Sequence, residues 1–137
     1  MKIDGRCHCG YITYEAVADP DNAGICHCTD CQSLSGSAFR TFLLITDGSF
    51  RLLSGEPTVY VKIAESGARR EQAFCPRCGS PIYATAVGAG HKIYSIRLGT
   101  VRQRDQFIPK VQIWTRSRQR WVTDIDYIEP IETQPIH

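Results

Sequence analysis

Apolar positions in this chain alternate with polar ones over short stretches, and each stretch ends at Gly, Pro, Asp or Ser. Six segments read as strands: residues 11–17 (YITYEAV), 38–45 (AFRTFLLI), 58–63 (TVYVKI), 82–87 (IYATAV), 93–98 (IYSIRL) and 111–115 (VQIWT). All are rich in β-branched and aromatic side chains, which suit a pleated, half-buried surface. No long stretch carries the 3.6-residue apolar repeat of an amphipathic helix. The one helix predicted is short, Thr29–Ser35, with Thr29 or Asp30 as its N-cap. Its first-turn N–H groups would point toward the neighbouring cysteines and favour thiolate there. The expected fold class is mainly β with one short helix. Residues 128–137, with two prolines, read as an irregular tail that frays at His137.

A chain of 137 residues with 42% hydrophobic content can bury one core and is too short for two ordinary domains, so 1–137 is expected to be a single domain. No apolar run approaches the ~20 residues of a membrane span. The N-terminal MKIDGRC has no apolar signal segment, and the expected location is cytoplasmic. Thiols stay reduced there, and clustered cysteines more often hold metal than form disulfides.

All seven cysteines fall in three groups: Cys7 with Cys9, Cys26 with Cys28 and Cys31, and Cys75 with Cys78. Their odd number excludes a closed set of disulfides. A structural zinc takes four protein ligands, whereas a catalytic zinc takes three and keeps one position open. Four plus three accounts for every thiol. Cys75-x-x-Cys78-Gly79 has the form of a zinc knuckle and needs two partners. Cys7 and Cys9 can supply them, leaving Cys26, Cys28 and Cys31 contiguous as the open site; this pairing is preferred. Alternatively Cys28 and Cys31 supply them, leaving Cys7, Cys9 and Cys26. A histidine or carboxylate could also close the second site, the candidates being His8, His27, His91 and Asp30. His8 and His27 sit between ligands, where the ring tends to point away from the ion, and His91 reads as a solvated hairpin turn.

Metal changes the charge balance. Seven thiolates and two Zn²⁺ bring the formal +2 to about −1. The arginines at 69, 70, 97, 102, 104, 116, 118 and 120 do not alternate with aromatic residues, and strand alternation should split them between faces. They read as solvated surface, with no nucleic-acid or membrane partner expected.

Three motifs together carry a resemblance: Gly5-Arg6-Cys7-His8-Cys9-Gly10, then Cys26-His27-Cys28-x-x-Cys31-Gln32-x-x-Ser35-Gly36-Ser37-x-Phe39, then Phe74-Cys75-x-x-Cys78-Gly79-Ser80-Pro81-Ile82-Tyr83. Leu98-Gly99-Thr100, Ile113-Trp114 and Trp121 extend it over residues 3–121. The chain resembles the glutathione-dependent formaldehyde-activating enzymes, a family that includes the centromere protein V domain. The resemblance implies a tent-like fold of several small coiled antiparallel sheets around a structural zinc. It assigns Cys7, Cys9, Cys75 and Cys78 to that zinc and Cys26, Cys28 and Cys31 to a second, catalytic one. The implied reaction is the condensation of formaldehyde with glutathione to S-hydroxymethylglutathione, a carbon–sulfur lyase chemistry in reverse. Three thiolates make a zinc a poor Lewis acid, so thiol positioning is expected rather than carbonyl polarisation. Ser33, Ser35 and Gly36 are expected to meet the peptide part of glutathione, and Arg40 a carboxylate. The alternative is a non-catalytic zinc-binding module of the same fold. One departure stands out: the family commonly continues Leu-Gly-Thr with Leu-Asp, where this chain has Val101-Arg102.

Overall fold

In the computed structural model, which describes residues 1–135, β1 (Lys2–Arg6) turns through a cysteine-bearing loop into β2 (Thr13–Val17). β3 (Ala23–Cys26) runs into α1 (Thr29–Ser35), followed by β4 (Arg40–Ile45) and β5 (Arg51–Ser54). A hairpin of β6 (Thr58–Ile63) and β7 (Arg69–Phe74) comes next, then β8 (Pro81–Ala86), β9 (Tyr94–Arg97) and β10 (Val111–Ile113). The fold is mostly β. The strands make a three-stranded sheet, β1–β2–β5, and a seven-stranded one in the order β10–β3–β4–β9–β8–β7–β6. Every pairing is antiparallel except that of β10 with β3. A bridge between Gly5 and Val101 ties β1 to the segment after β9.

The six predicted segments form strands, with ends shifted by up to two residues. β1, β3, β5 and β7 carry no such signal, because their sequences are charged, glycine-bearing or very short. Partners on both sides impose the extended form on β3 (AGIC) and β7 (RREQAF) whatever their propensity. α1 has the predicted span, but its N-cap is Cys28 rather than Thr29 or Asp30. The Cys28 sulfur accepts the Cys31 N–H at 3.2 Å and does the work of a capping oxygen. Gly36, with φ +64°, closes the helix by sending its N–H to the carbonyls of Gln32 and Ser33. Residues 128–135 form no helix or strand, and His137 lies outside the described residues.

Buried side chains from both sheets make the main core, including Ile3, Tyr14, Leu43, Ile45, Ile82 and Ile96. Phe50 sits against Tyr14, Tyr83 and Tyr94, with ring centroids 4.5–5.5 Å apart. The buried Tyr14 hydroxyl is satisfied by Thr100 Oγ1 at 2.8 Å. The other face of the larger sheet positions the site. There Leu44, Ser95, Ala84, Gln72 and Tyr60 pair in one row across β4, β9, β8, β7 and β6. Since side chains alternate along each strand, Arg40, Phe42, Lys62, Arg70 and Arg97 share that face.

Candidate metal centres and their cleft

Two cysteine groups form where turns and caps bring sulfurs together. The first joins the β1–β2 loop to the β7–β8 turn: Cys7, Cys9, Cys75 and Cys78 place their sulfurs within 4.8 Å of one another. Cys7 Sγ lies 3.6 Å from Cys9 Sγ, and Cys9 Sγ 3.8 Å from Cys75 Sγ. A tetrahedral ion with 2.3 Å Zn–S bonds separates its sulfurs by roughly 3.8 Å, so these residues fit zinc closely. Backbone N–H groups of Ile12 and Arg77 donate to Cys7 Sγ at 3.3 Å and Cys75 Sγ at 3.4 Å. Such donors stabilise thiolates. The Ser80 hydroxyl and backbone beside Cys78 hold its thiol down to about 5. Gly10 and Gly79, at φ +84° and +79°, let both loops fold back on the sulfurs. Arg77 stacks its guanidinium 3.9 Å from the Tyr11 ring centroid and clamps the two loops together.

The second group is Cys26, Cys28 and Cys31, again with all sulfurs within 4.8 Å. Cys26 ends β3, Cys28 caps α1, and Cys31 lies in its first turn, so three sulfurs converge within six residues. The segment is held on both sides. His27 N–H donates to Ile113 O at 3.0 Å, and the Gln32 amide donates to the carbonyls of His27 and Ser117 at 2.9 and 3.0 Å. The His27 ring is buried and meets Gln112 Oε1 through Nε2 at 2.7 Å. Among the described residues no histidine, carboxylate or further cysteine joins these three sulfurs. Without metal, Cys31 is held down to about 5 by the Cys26 thiol that donates to it and by the nearby Arg40; the same contact pushes Cys26 up. Soft thiolate donors suit zinc, and three of them leave a tetrahedral ion one open position.

The three cysteines line a cleft of about 280 Å³ on the outer face of the larger sheet. Arg40, Lys62, Arg70 and Arg97 line it, and among the described residues no carboxylate does. Phe42, Leu44 and Trp114 supply its apolar wall. Trp114 holds a left-handed backbone at φ +58°, uncommon for a large side chain, as the chain turns out of β10. Arg97 is buried, with Nη1 donating to Ser95 Oγ at 3.3 Å and Nη2 to Gln72 Oε1 at 3.2 Å. Burial, then the neighbouring Arg40 and Arg70 charges, pull its guanidinium down to about 9.

The model of the family described as "Glutathione-dependent formaldehyde-activating enzyme" matches residues 2–117. The chain belongs to that family. A crystal structure of a Rhodobacter sphaeroides protein is similar in fold, with a TM-score of 0.59 and 17% identity over 80% of this chain and 98% of that one.

Within the family frame, the residues singled out from sequence fall in distinct places. Cys7 and Cys9 meet Cys75 and Cys78, while Cys26, Cys28 and Cys31 stand apart as a trio. Arg40 lines the cleft beside that trio. Ser33, Ser35 and Gly36 do not line it: Ser33 is exposed, and Ser35 and Gly36 close the end of α1 through Gln32, Ser33 and Ser37. His8 and His91 are exposed, and the His91 ring bonds Thr46 O at 2.8 Å. Asp30 pairs with Lys62 at 2.9 Å. The eight arginines read as surface are divided, as alternation requires, but Arg70 and Arg97 join Arg40 in the cleft. Arg102 pairs with Asp4, and Arg116 with Glu65 at 3.2 Å. Sequence reasoning put Arg97 on the solvated surface, although its place inside the apolar run IYSIRL was the signal that it is buried.

Proposed function

We propose that this chain is a zinc-dependent enzyme of the carbon–sulfur lyase type, joining formaldehyde to glutathione, or to a related thiol, and reversing that reaction. One observation carries the reading: three cysteine sulfurs converge beside a cation-lined cleft with no fourth protein ligand among the described residues. A purely structural centre has no use for that open side. Cys7, Cys9, Cys75 and Cys78 would hold the structural ion, and Cys26, Cys28 and Cys31 the catalytic one. Zinc bound at the trio would supply the positive charge that deprotonates an incoming thiol at neutral pH.

The remaining work falls to the chain. β3 and the capped first turn of α1 fix the three sulfurs before substrate arrives, so little reorganisation is needed. Phe42, Leu44 and Trp114 shield one side of the cleft from water. Arg40 offsets negative charge at Cys31 and offers donors to an anionic substrate. In the reaction the thiol sulfur bonds to the aldehyde carbon and the carbonyl π pair moves to oxygen. The proton lost by the thiol ends on that oxygen, giving S-hydroxymethylglutathione. Cleavage runs the same steps backward.

The test is the rate at which S-hydroxymethylglutathione forms from glutathione and formaldehyde, followed by NMR with the spontaneous rate subtracted. The zinc-loaded protein should accelerate formation, and Cys28→Ser should lower the acceleration by about 100-fold or more. No acceleration by a fully zinc-loaded protein would contradict the proposal.

A further inference from the structure

Two clefts meet on the outer face of the seven-stranded sheet. One has the cysteine trio at its end. The other, of about 340 Å³, is walled by Leu34, Tyr60, Phe74 and Pro81. Arg40, Gln72 and Arg97 line both, so a pair of guanidinium groups stands at their boundary. These groups come from β4, β7 and β9 and are aligned by strand register rather than by any one loop.

The charges here do not balance. A zinc held by three thiolates carries about −1, which answers one cation. Lys62 is answered by Asp30 at 2.9 Å. Among the described residues no carboxylate pairs with Arg40, Arg70 or Arg97, so two positive charges are left over. Arg40 and Arg97 are each only 8% exposed. The Arg40 Nε is buried with no hydrogen-bond partner. A buried charge and a buried unpaired donor are both costly, and an anion set between the two guanidinium groups relieves both.

We propose that this boundary is a carboxylate-binding subsite and that the preferred substrate is a carboxylate-bearing thiol with an apolar arm. The sulfur goes to the cysteine trio, the acid group between Arg40 and Arg97, and the arm into the second cleft. This rests on the thiol-site reading above. Arg97 is pre-oriented for the task, its Nη atoms being fixed by Ser95 and Gln72. Burial first, and then the charges of Arg40 and Arg70, disfavour the Arg97 guanidinium, and an anion beside it offsets that cost. Glutathione brings the acid group; a thiol that adds an apolar arm should bind more tightly still.

Calorimetric titration of the zinc-loaded protein with three thiols tests this. 3-Mercaptopropionate should bind at least tenfold more tightly than the neutral 2-mercaptoethanol, and 2-mercapto-3-phenylpropionate several-fold more tightly again. In Arg97→Gln the ratio of the first two affinities should fall toward one. Arg70→Gln, at a half-buried position, should reduce that ratio even if Arg97→Gln proves unstable. Equal binding of charged and neutral thiols, or a preference that survives both substitutions, overturns the subsite while leaving the thiol site intact. Equal binding of the two acids overturns the apolar arm. Failure of all three thiols to bind overturns the subsite and the proposed function together.

Discussion

Arg102 follows Leu98-Gly99-Thr100-Val101 and reaches back to Asp4 with three hydrogen bonds of 2.8–3.0 Å. That bidentate contact, with Gln103 adding a fourth bond, holds the Asp4 carboxyl below its usual range. The pair lies on β1 and the turn after β9, away from the cysteine cleft. Arg102→Asp should therefore lower the melting temperature by a few degrees at low salt, and by less at high salt, because two exposed carboxylates replace an exposed ion pair. Zinc content and thiol binding should not change. Scanning calorimetry with metal analysis checks this; lost thiol affinity at unchanged stability would move Arg102 into the substrate site. Among single residues the cysteines were legible in sequence because ligand spacing is local: sulfurs two or three positions apart meet on one turn. Spacing favoured the pairing of Cys7 and Cys9 with Cys75 and Cys78 but did not settle it, since Cys7 and Cys75 are brought together by the loops of two different sheets. The arginine cluster was hidden for the same reason, with Arg40, Arg70 and Arg97 each coming from a different strand.

At the scale of elements, β1 shows how close packing replaces propensity. Its Gly5 lies directly under Tyr14, and an added Cβ would fall 2.2 Å from the Tyr14 ring and 2.5 Å from the Thr100 carbonyl. The Tyr14 hydroxyl is already committed to Thr100, so the ring has little freedom to move. Gly5→Ala should cost about 1–3 kcal/mol, as overpacked cores do. Gly99→Ala, where nothing lies within 4 Å and the backbone needs no positive φ, should be nearly neutral. Denaturant unfolding compares the two; a neutral Gly5→Ala would mean that β1 is not held against Tyr14 as described. This close approach explains why β1 escaped the sequence pattern, since only Ile3 marks its apolar side. β6 was readable to the residue because TVYVKI has intrinsic strand preference, whereas β7 is extended through pairing on both edges.

For the molecule as a whole, the two cysteine groups stand in different relations to the fold. The four-sulfur group joins a loop of the three-stranded sheet to a turn of the seven-stranded one, so an ion there fastens the sheets together. The trio belongs to one strand end and one helix cap, and it packs only with Phe42 and Leu44 in a small cluster apart from the main core. Structural zinc binding is worth on the order of 10 kcal/mol, comparable to the whole stability a domain of this size usually has. The most direct measurement is zinc content per chain by non-denaturing mass spectrometry on wild type, Cys75→Ser and Cys28→Ser, with circular dichroism on the same samples. Two zinc ions in wild type, an unfolded Cys75→Ser and a folded Cys28→Ser with one zinc are the expected results. If both variants unfold alike, or if Cys28→Ser keeps two zinc ions, the division into a closed structural site and an open reactive one is wrong.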